Sequence, residues 1–321
     1  MFETDDHIFP TKPELAVENP RTNWGKTALS MLLFFAVFFL LFADNYLLIL
    51  EVVSILLIHE LGHFIMMKKY GYSSLNILFI PIFGAFVSGN KKSVSQKQKF
   101  WISVMGPMPG IIAGSLGLLY CINSENYLIL FEVSLLLLSI NVLNLLPLDP
   151  LDGGHIVEAL FFPSNNTFKM YFTLISSLLL ILIGLYFEMF ILVVFGFFMS
   201  MKVRGLQKNQ RIHENLDEIN FNYSKSYSEL SNKEYWTIRR IFLENNPKIK
   251  DLIPDDFALW ENENLIVEQV RQLLTIEIKK DLGIGQKILL FSLFLLLLVV
   301  PTVLILSNLE LIINTFFNAG A

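Results

Sequence analysis

Long apolar stretches separated by short polar interruptions dominate the chain. Runs of about 18 or more apolar residues are long enough to cross a bilayer as helices. The pattern predicts spans at 27–43, 47–67, 100–122, 127–146, 168–187, 188–201 and 286–307, the fifth and sixth only weakly separated. Asp44 with Asn45, and the segment 123–126, read as turns. Two regions break the pattern. Residues 73–90 (SSLNILFIPIFGAFVSGN) are apolar but β-branched, aromatic and punctuated by Pro and Gly. They predict two short strands with a turn near Pro81–Gly84. At membrane depth such a hairpin needs protein or a watery cavity to satisfy its backbone. From 202 to 284 charges become dense, and EYWTIRRIFLE and LIVEQVRQLLTIEIKK show helical periodicity.

The expected fold is a polytopic α-helical membrane protein of about seven spans, with a small membrane-embedded β-hairpin and a small helical cytosolic domain. The expected organisation is a flexible tail over 1–26, a membrane core over 27–201, the helical domain over 202–284, a last span over 285–308 and a tail over 309–321. Pro10, Pro13 and Pro20 interrupt any helix in the first tail. The Gly106-Pro107 pair permits a kink in the third span, and a short helix is expected over 154–162.

Composition sharpens this. Hydrophobic residues make up 54% of the 321 and the mean hydropathy is +0.54, above what a soluble domain carries. A net charge of −5 leaves no basic face for nucleic acid. The one cysteine, Cys121, cannot form an intrachain disulfide. The first apolar run follows a long, acid-containing leader and ends Leu41-Phe42-Ala43, so it reads as an anchor rather than a cleaved signal. Lys68, Lys69, Lys91, Lys92, Lys97, Lys99, Lys202, Arg204, Lys208 and Arg211 fall on one side if each span crosses once; the opposite loops, 44–46 and 123–126, carry acids only. The positive-inside rule then puts the amino terminus in the cytosol and the carboxyl terminus outside.

The chemistry lies in LLIHELGHF, residues 56–64. Histidines four apart on a helix project from one face, so His59 and His63 can share a zinc ion, with Glu60 placed to take a proton from a water that the metal acidifies. Ionisable groups inside a membrane are expensive, and three within five residues point to a site rather than to packing. A catalytic zinc takes three protein ligands and keeps one position open. Asp152, in Leu151-Asp152-Gly153-Gly154, is the preferred third ligand, because glycines let the backbone approach closely. Asp149 and His155 compete; the plainer reading makes Asp152 a helix cap and His155 a supporting group. Asn144 can hydrogen-bond a substrate carbonyl or developing oxyanion, whereas Asn141 suits an interhelical bond. Glu51, Glu132 and Glu158 lie in or near apolar runs without a catalytic pattern.

HExxH on one span, a strand-like insertion, and Asn144-Leu-Leu-Pro147-Leu-Asp-Pro-Leu-Asp152-Gly153 on a later span together resemble the site-2 proteases, which are intramembrane zinc metallopeptidases. The resemblance covers residues 50–160. It implies His59, His63 and Asp152 as ligands of one zinc per chain, Glu60 as the general base, and Asn144 as a substrate-orienting residue. Gly84-Ala85-Phe86 corresponds to the edge of the family's membrane-embedded β-structure, where an extended substrate adds as a strand. The family's Gly-Pro-x-x-Asn pattern appears here as Gly106-Pro107-Met108-Pro109-Gly110, without the asparagine.

The expected partners are single-span membrane proteins as substrates and membrane lipid, not nucleic acid; the oligomeric state is open. A bacterial inner membrane, with the active-site entrance on the cytosolic side, is the expected location. Two other functions fit the residues: a non-proteolytic membrane protein keeping the fold, and a membrane zinc peptidase acting on soluble peptides. The helical domain over 202–284 is expected either to regulate or select substrates, or simply to pack.

Overall fold

The computed structural model describes residues 9–14, 24–41, 45–81, 84–91, 93–122, 128–163, 165–253, 257–274, 278–311 and 313. The expected turns at Asp44 and over 123–126, and the last tail beyond 313, lie outside them. Helices α1 (Trp24–Leu41) and α2 (Tyr46–Lys69) precede strands β1 (Ser73–Ile80), β2 (Gly84–Asn90) and β3 (Val94–Ser95). Then come α3 (Gln96–Met105), α4 (Pro107–Ile122), α5 (Leu128–Asn144), α6 (Asp152–Phe161), α7 (Asn166–Tyr186), α8 (Phe190–Glu218), α9 (Asn232–Glu244), α10 (Pro247–Lys250) and α11 (Glu263–Leu273). Strand β4 (Ile278–Lys279) and α12 (Ile284–Ser307) close the chain.

Five stretches among the described residues are long and apolar enough to cross a membrane: α2, α3 with α4, α7, α8 and α12. Two further apolar helices, 24–40 and 128–144, are shorter. Where seven spans were expected, the described residues thus carry five full-length candidate spans and two apolar helices of 17 residues, at the short end of the range of about 17–25 residues for a span. The third expected span is interrupted at Gly106, with α3 ending at Met105 and α4 starting at Pro107.

The chain forms two compact units. The first comprises the described residues of 19–91, 95–163 and 279–321. Its β1 and β2 form an antiparallel hairpin, with Ile80 opposite Gly84 and Ile77 opposite Val87. Alternation along β1 buries Leu75, Ile77 and Phe79, the period-two signature of a strand with one covered face. They join Phe34, Ile49, Val53, Phe64 and Met67 of α1 and α2 in one apolar cluster. Thr27 Oγ1 donates to the Ile77 carbonyl at 2.8 Å, and the Phe79 N–H donates to Ser30 Oγ at 3.2 Å. Thus α1 satisfies backbone groups of β1, while β2 pairs only with β1 among the described strands. A second cluster packs Phe100, Val104, Ile111, Leu145, Ile156 and Leu160 against Leu290, Phe294 and Leu297 of α12. Ser95 and Gln98 form a capping box that starts α3.

The second unit comprises the described residues of 1–18, 92–94 and 164–278. Here the composition change at 202 does not break the backbone: α8 runs 29 residues through it. Intrahelical bonding depends on continuous helical dihedrals rather than on polarity, and Val203, Ile212 and Leu216 keep a buried stripe on the polar half. Ile212 and Leu216 pack with Trp236, Phe242, Ile266 and Val270. His213 Nε2 meets the Leu273 carbonyl at 2.8 Å, tying α8 to the end of α11. Ser231 and Glu234 cap α9 reciprocally. Arg239, fully buried, donates from Nε to Glu263 Oε1 at 2.7 Å and from Nη2 to Oε2 at 2.9 Å. Tyr235 OH donates to the same Oε1 at 2.6 Å. Within the first tail, residues 9–14 depart from the flexible expectation, being held against this unit by main-chain hydrogen bonds.

Candidate metal centre

Every group at this site is set by where a helix meets its neighbour. His59 and His63 sit one turn apart on α2, both buried with Glu60. Asp152 is the first residue of α6, one position inside the helix rather than at its cap, which is Leu151. A Cβ on Gly153 would strike the carbonyls of Leu145 and Leu146, and one on Gly154 that of Leu148. Only glycines let the start of α6 lie this close to the end of α5, and that approach carries Asp152 to α2.

The three side chains converge. Asp152 Oδ2 lies 3.0 Å from His59 Nε2 and 3.3 Å from His63 Nε2, and the two Nε2 atoms are 3.1 Å apart. Among the described residues these three form the one group able to hold a metal ion, their ligand atoms all within 4.8 Å of one another. Asp149 is buried and His155 exposed, both outside the group.

The far side of each imidazole is also occupied. His63 Nδ1 is 2.8 Å from the Ile102 carbonyl on α3, an acceptor, so this nitrogen carries the proton and Nε2 keeps its lone pair. Gly106, at the break between α3 and α4, makes room, because a Cβ there would enter the His63 ring. His59 Nδ1 is 2.8 Å from Asn141 Oδ1 on α5, and Asn141 Nδ2 donates to the Leu137 carbonyl at 2.8 Å. That second bond orients the amide with its oxygen toward His59. Both histidines are thereby fixed in the tautomer that presents Nε2 to the centre. Two imidazole lone pairs and a carboxylate make a three-ligand set that suits zinc with one position left open.

The interhelical bond expected of Asn141 is present, but that its partner is a histidine of the cluster was not legible along the chain. Its position one turn before Asn144 was the available signal. Asn144 ends α5 and donates from Nδ2 to the Ile140 carbonyl at 3.0 Å; the amide bonded to a cluster histidine is that of Asn141. The absent asparagine of the Gly-Pro-x-x-Asn pattern has a counterpart in space. A Cβ on Gly110 would run into the Asn141 side chain, so the volume above residue 110 is filled by an amide from the neighbouring helix.

Glu60 accepts a backbone hydrogen bond from Val87 on β2, and its Oε2 is buried without a partner. An unsatisfied carboxylate oxygen beside three converging ligand atoms is costly unless a cation or a water's proton meets it. Gly84, Ala85 and Phe86 open β2, opposite Ile80, Phe79 and Leu78. They precede Val87 on the strand that reaches Glu60.

The model of peptidase family M50 matches residues 47–126, which include both histidines and Glu60. Over these residues the chain is similar to the M50 family. A zinc metalloprotease of Methanocaldococcus jannaschii is 36% identical over 116 residues, covering 35% of this chain. The chain spans about a third of that relative's length, 33%. A solved site-2 protease from the same organism aligns with 55% of this chain and 87% of its own at 25% identity, with a TM-score of 0.43. Zinc, the metal named for the 36%-identical relative, also suits the His59, His63 and Asp152 ligand set found here. The M50 match ends before Asn144 and Asp152, so the third ligand rests on the geometry of α6.

Proposed function

We propose that this protein is an intramembrane zinc endopeptidase that cleaves peptide bonds in or near transmembrane segments of single-span membrane proteins. One observation carries the reading: His59, His63 and Asp152 converge beside the partnerless Oε2 of Glu60, on a helix apolar enough to span a membrane. The zinc those three residues would hold supplies Lewis acidity, lowering the pKa of a water toward about 7 and polarising a carbonyl.

The chain's own residues do the rest. A transmembrane helix hides its peptide bonds in its own hydrogen bonding, so a substrate must unwind before it can be cut. The unpaired side of β2, with Gly84, Ala85 and Phe86, offers backbone groups to hold the unwound stretch as an added strand. Glu60 takes the proton of the attacking water and delivers it to the leaving nitrogen. Asn144, by turning its amide from the Ile140 carbonyl, donates to the substrate carbonyl oxygen as charge builds there. With each of the seven expected spans crossing once, the positive-inside rule puts the water entrance on the cytosolic face, with lipid around the apolar helices and no role for nucleic acid.

The test compares membrane proteomes of cells expressing the wild type and Glu60→Gln. The variant is expected to bind zinc as the wild type does and to accumulate a small set of single-span fragments. Zinc bound equally by both forms, with no fragment accumulating and an exposed soluble peptide cleaved only by the wild type, would replace this reading with a peptidase of soluble substrates.

A further inference from the structure

The first tail contains Phe9-Pro10-Thr11-Lys12-Pro13-Glu14, two prolines spaced by three with a lysine between them. Each proline fixes its own φ near −65° and pushes the residue before it into extended backbone. The segment is therefore stiff and extended before it meets anything, and it carries neither helix nor strand. Phe9 and Lys12, three apart, are half-buried together with Pro13, whereas Pro10, Thr11 and Glu14 are exposed. A repeat of three is that of a polyproline helix laying one face on a surface.

The surface is built to read that backbone. Trp236 Nε1 donates to the Pro10 carbonyl at 2.7 Å, and Tyr227 OH donates to the Pro13 carbonyl at 2.8 Å. Asn232 Oδ1 accepts from the Lys12 N–H at 3.0 Å. The Phe9 ring meets Phe257 edge-on with centroids 5.7 Å apart, and Phe257 packs on Trp236. The lysine has a seat of its own. Its ammonium donates to the carbonyls of Tyr227, at 2.9 Å, and Leu230, beside Ser228, and lies 5.3 Å from the Tyr227 ring centroid. Several carbonyl oxygens converging on one point, with an aromatic face beside it, select an ammonium over a neutral side chain. Indole and phenol donors aimed at carbonyls on either side of a proline-spaced turn are how aromatic grooves recognise such peptides.

We propose that the helical domain carries a peptide-recognition groove for proline-spaced, lysine-bearing extended segments, filled in cis by residues 9–14 and exchangeable with a partner segment of the same chemistry. The Trp236 and Tyr227 donors bond two tail carbonyls three residues apart, so a segment that replaces the tail must present carbonyls at the same spacing. A partner presenting Pro-x-Lys-Pro would free the tail from the domain. The tether acts as a local competitor at an effective concentration of about millimolar, so a partner must be strong or multivalent to enter.

Purified full-length protein in detergent tests this with a fluorescein-labelled peptide of the sequence Phe-Pro-Thr-Lys-Pro-Glu, read by fluorescence anisotropy. Lys12→Glu weakens the cis occupant and leaves the groove untouched. It is expected to bind the peptide at least ~10-fold more tightly than the wild type, given the removed competitor. Adding Trp236→Phe, which keeps an aromatic ring of smaller size and removes the N–H, is expected to reverse that gain. A peptide with both prolines changed to alanine is expected to bind at least ~10-fold more weakly. Equal affinity of the wild type and Lys12→Glu, or indifference to the prolines, overturns the proposal. If Lys12→Glu does not fold, hydrogen exchange on the wild type decides. Saturating peptide is expected to raise exchange across residues 9–14, and bound peptide with unchanged exchange there places it elsewhere and refutes the groove.

Discussion

Replacing Asn141 by leucine probes whether the metal centre depends on what stands behind its ligands. The substitution keeps the branched side-chain shape, though with bulkier methyls, and removes the acceptor 2.8 Å from His59 Nδ1. His59 is 4% exposed, so water cannot replace the lost partner. A buried donor left unsatisfied costs about 1–3 kcal/mol. The ring can relieve that cost by moving its proton to Nε2, which then donates to Asp152 Oδ2 3.0 Å away and ceases to be a ligand. Holding the ligand tautomer against this alternative should therefore cost roughly 1.4–2.7 kcal/mol, a 10- to 100-fold loss of zinc affinity. The assay is competition for zinc against a chromophoric chelator, on full-length protein that elutes like the wild type. Affinity within about twofold of the wild type would show that Asn141 merely packs, and the tautomer reasoning would fail. A swap makes the test sharper. Gly110→Asn alone drives a side chain into Asn141 and is expected to lower affinity, and Asn141→Gly in the same chain is expected to recover part of it. Simple additivity of the two losses would contradict a shared volume.

Asp152→Ala is expected to abolish stoichiometric zinc binding while Asp149→Ala retains it, measured by metal analysis after dialysis; the opposite pattern would move the third ligand into the turn before α6. Gly106→Ala places a methyl in the His63 ring, so a zinc affinity at least ~10-fold lower is expected from the displaced ligand, and an unchanged value would mean that α3 and α4 can part without cost. In the helical domain, burial alone would raise the Glu263 pKa, but hydrogen bonds from Arg239, Tyr235 and the Trp260 N–H outweigh it and hold the carboxyl below its ordinary 4.5. A depressed folded-state pKa contributes stability that is present above the unfolded value and lost as pH falls through the folded one. The domain's urea midpoint, followed by tryptophan fluorescence, is accordingly expected to be flat from pH 7 to about 5.5 and to fall below about 4.5; Glu263→Gln should flatten that fall, and an identical acid limb in the variant would assign it to other groups.

Much of the site was legible along the chain because its signals are local. The four-residue spacing of His59 and His63 needs only a helix, and α2 supplies one. The hairpin over 73–90 was visible because β-branched and aromatic residues with Pro and Gly suit strands and a turn, and β1 and β2 begin and end where those residues do. The break at Gly106-Pro107 follows from a proline that cannot donate to the preceding turn. Asp152 stood out from Asp149 through its glycines, whose role is the close approach of α6 to the end of α5.

What the sequence determined by itself, then, is each element and the chemistry written on one face of it. Tertiary structure alone decided which element stands behind which ligand. Asn141 and Asn144 are three residues apart on α5 and equal in chemistry, and only the rotation of that helix against α2 makes the first a partner of His59. The clash between Gly110 and an amide 31 positions away exists only when α4 and α5 are packed. Likewise, the composition change at 202 could not mark the end of α8, because helix continuity follows backbone bonding and the buried stripe through Val203, Ile212 and Leu216. Residues 9–14 read as loose polar chain because their partners, Tyr227, Asn232 and Trp236, lie more than 200 positions away. Hydropathy and periodicity report what a residue prefers among its near neighbours. Which distant group satisfies a particular N–H, carbonyl or imidazole nitrogen is settled only when the chain closes on itself and desolvation makes every unpaired polar atom costly.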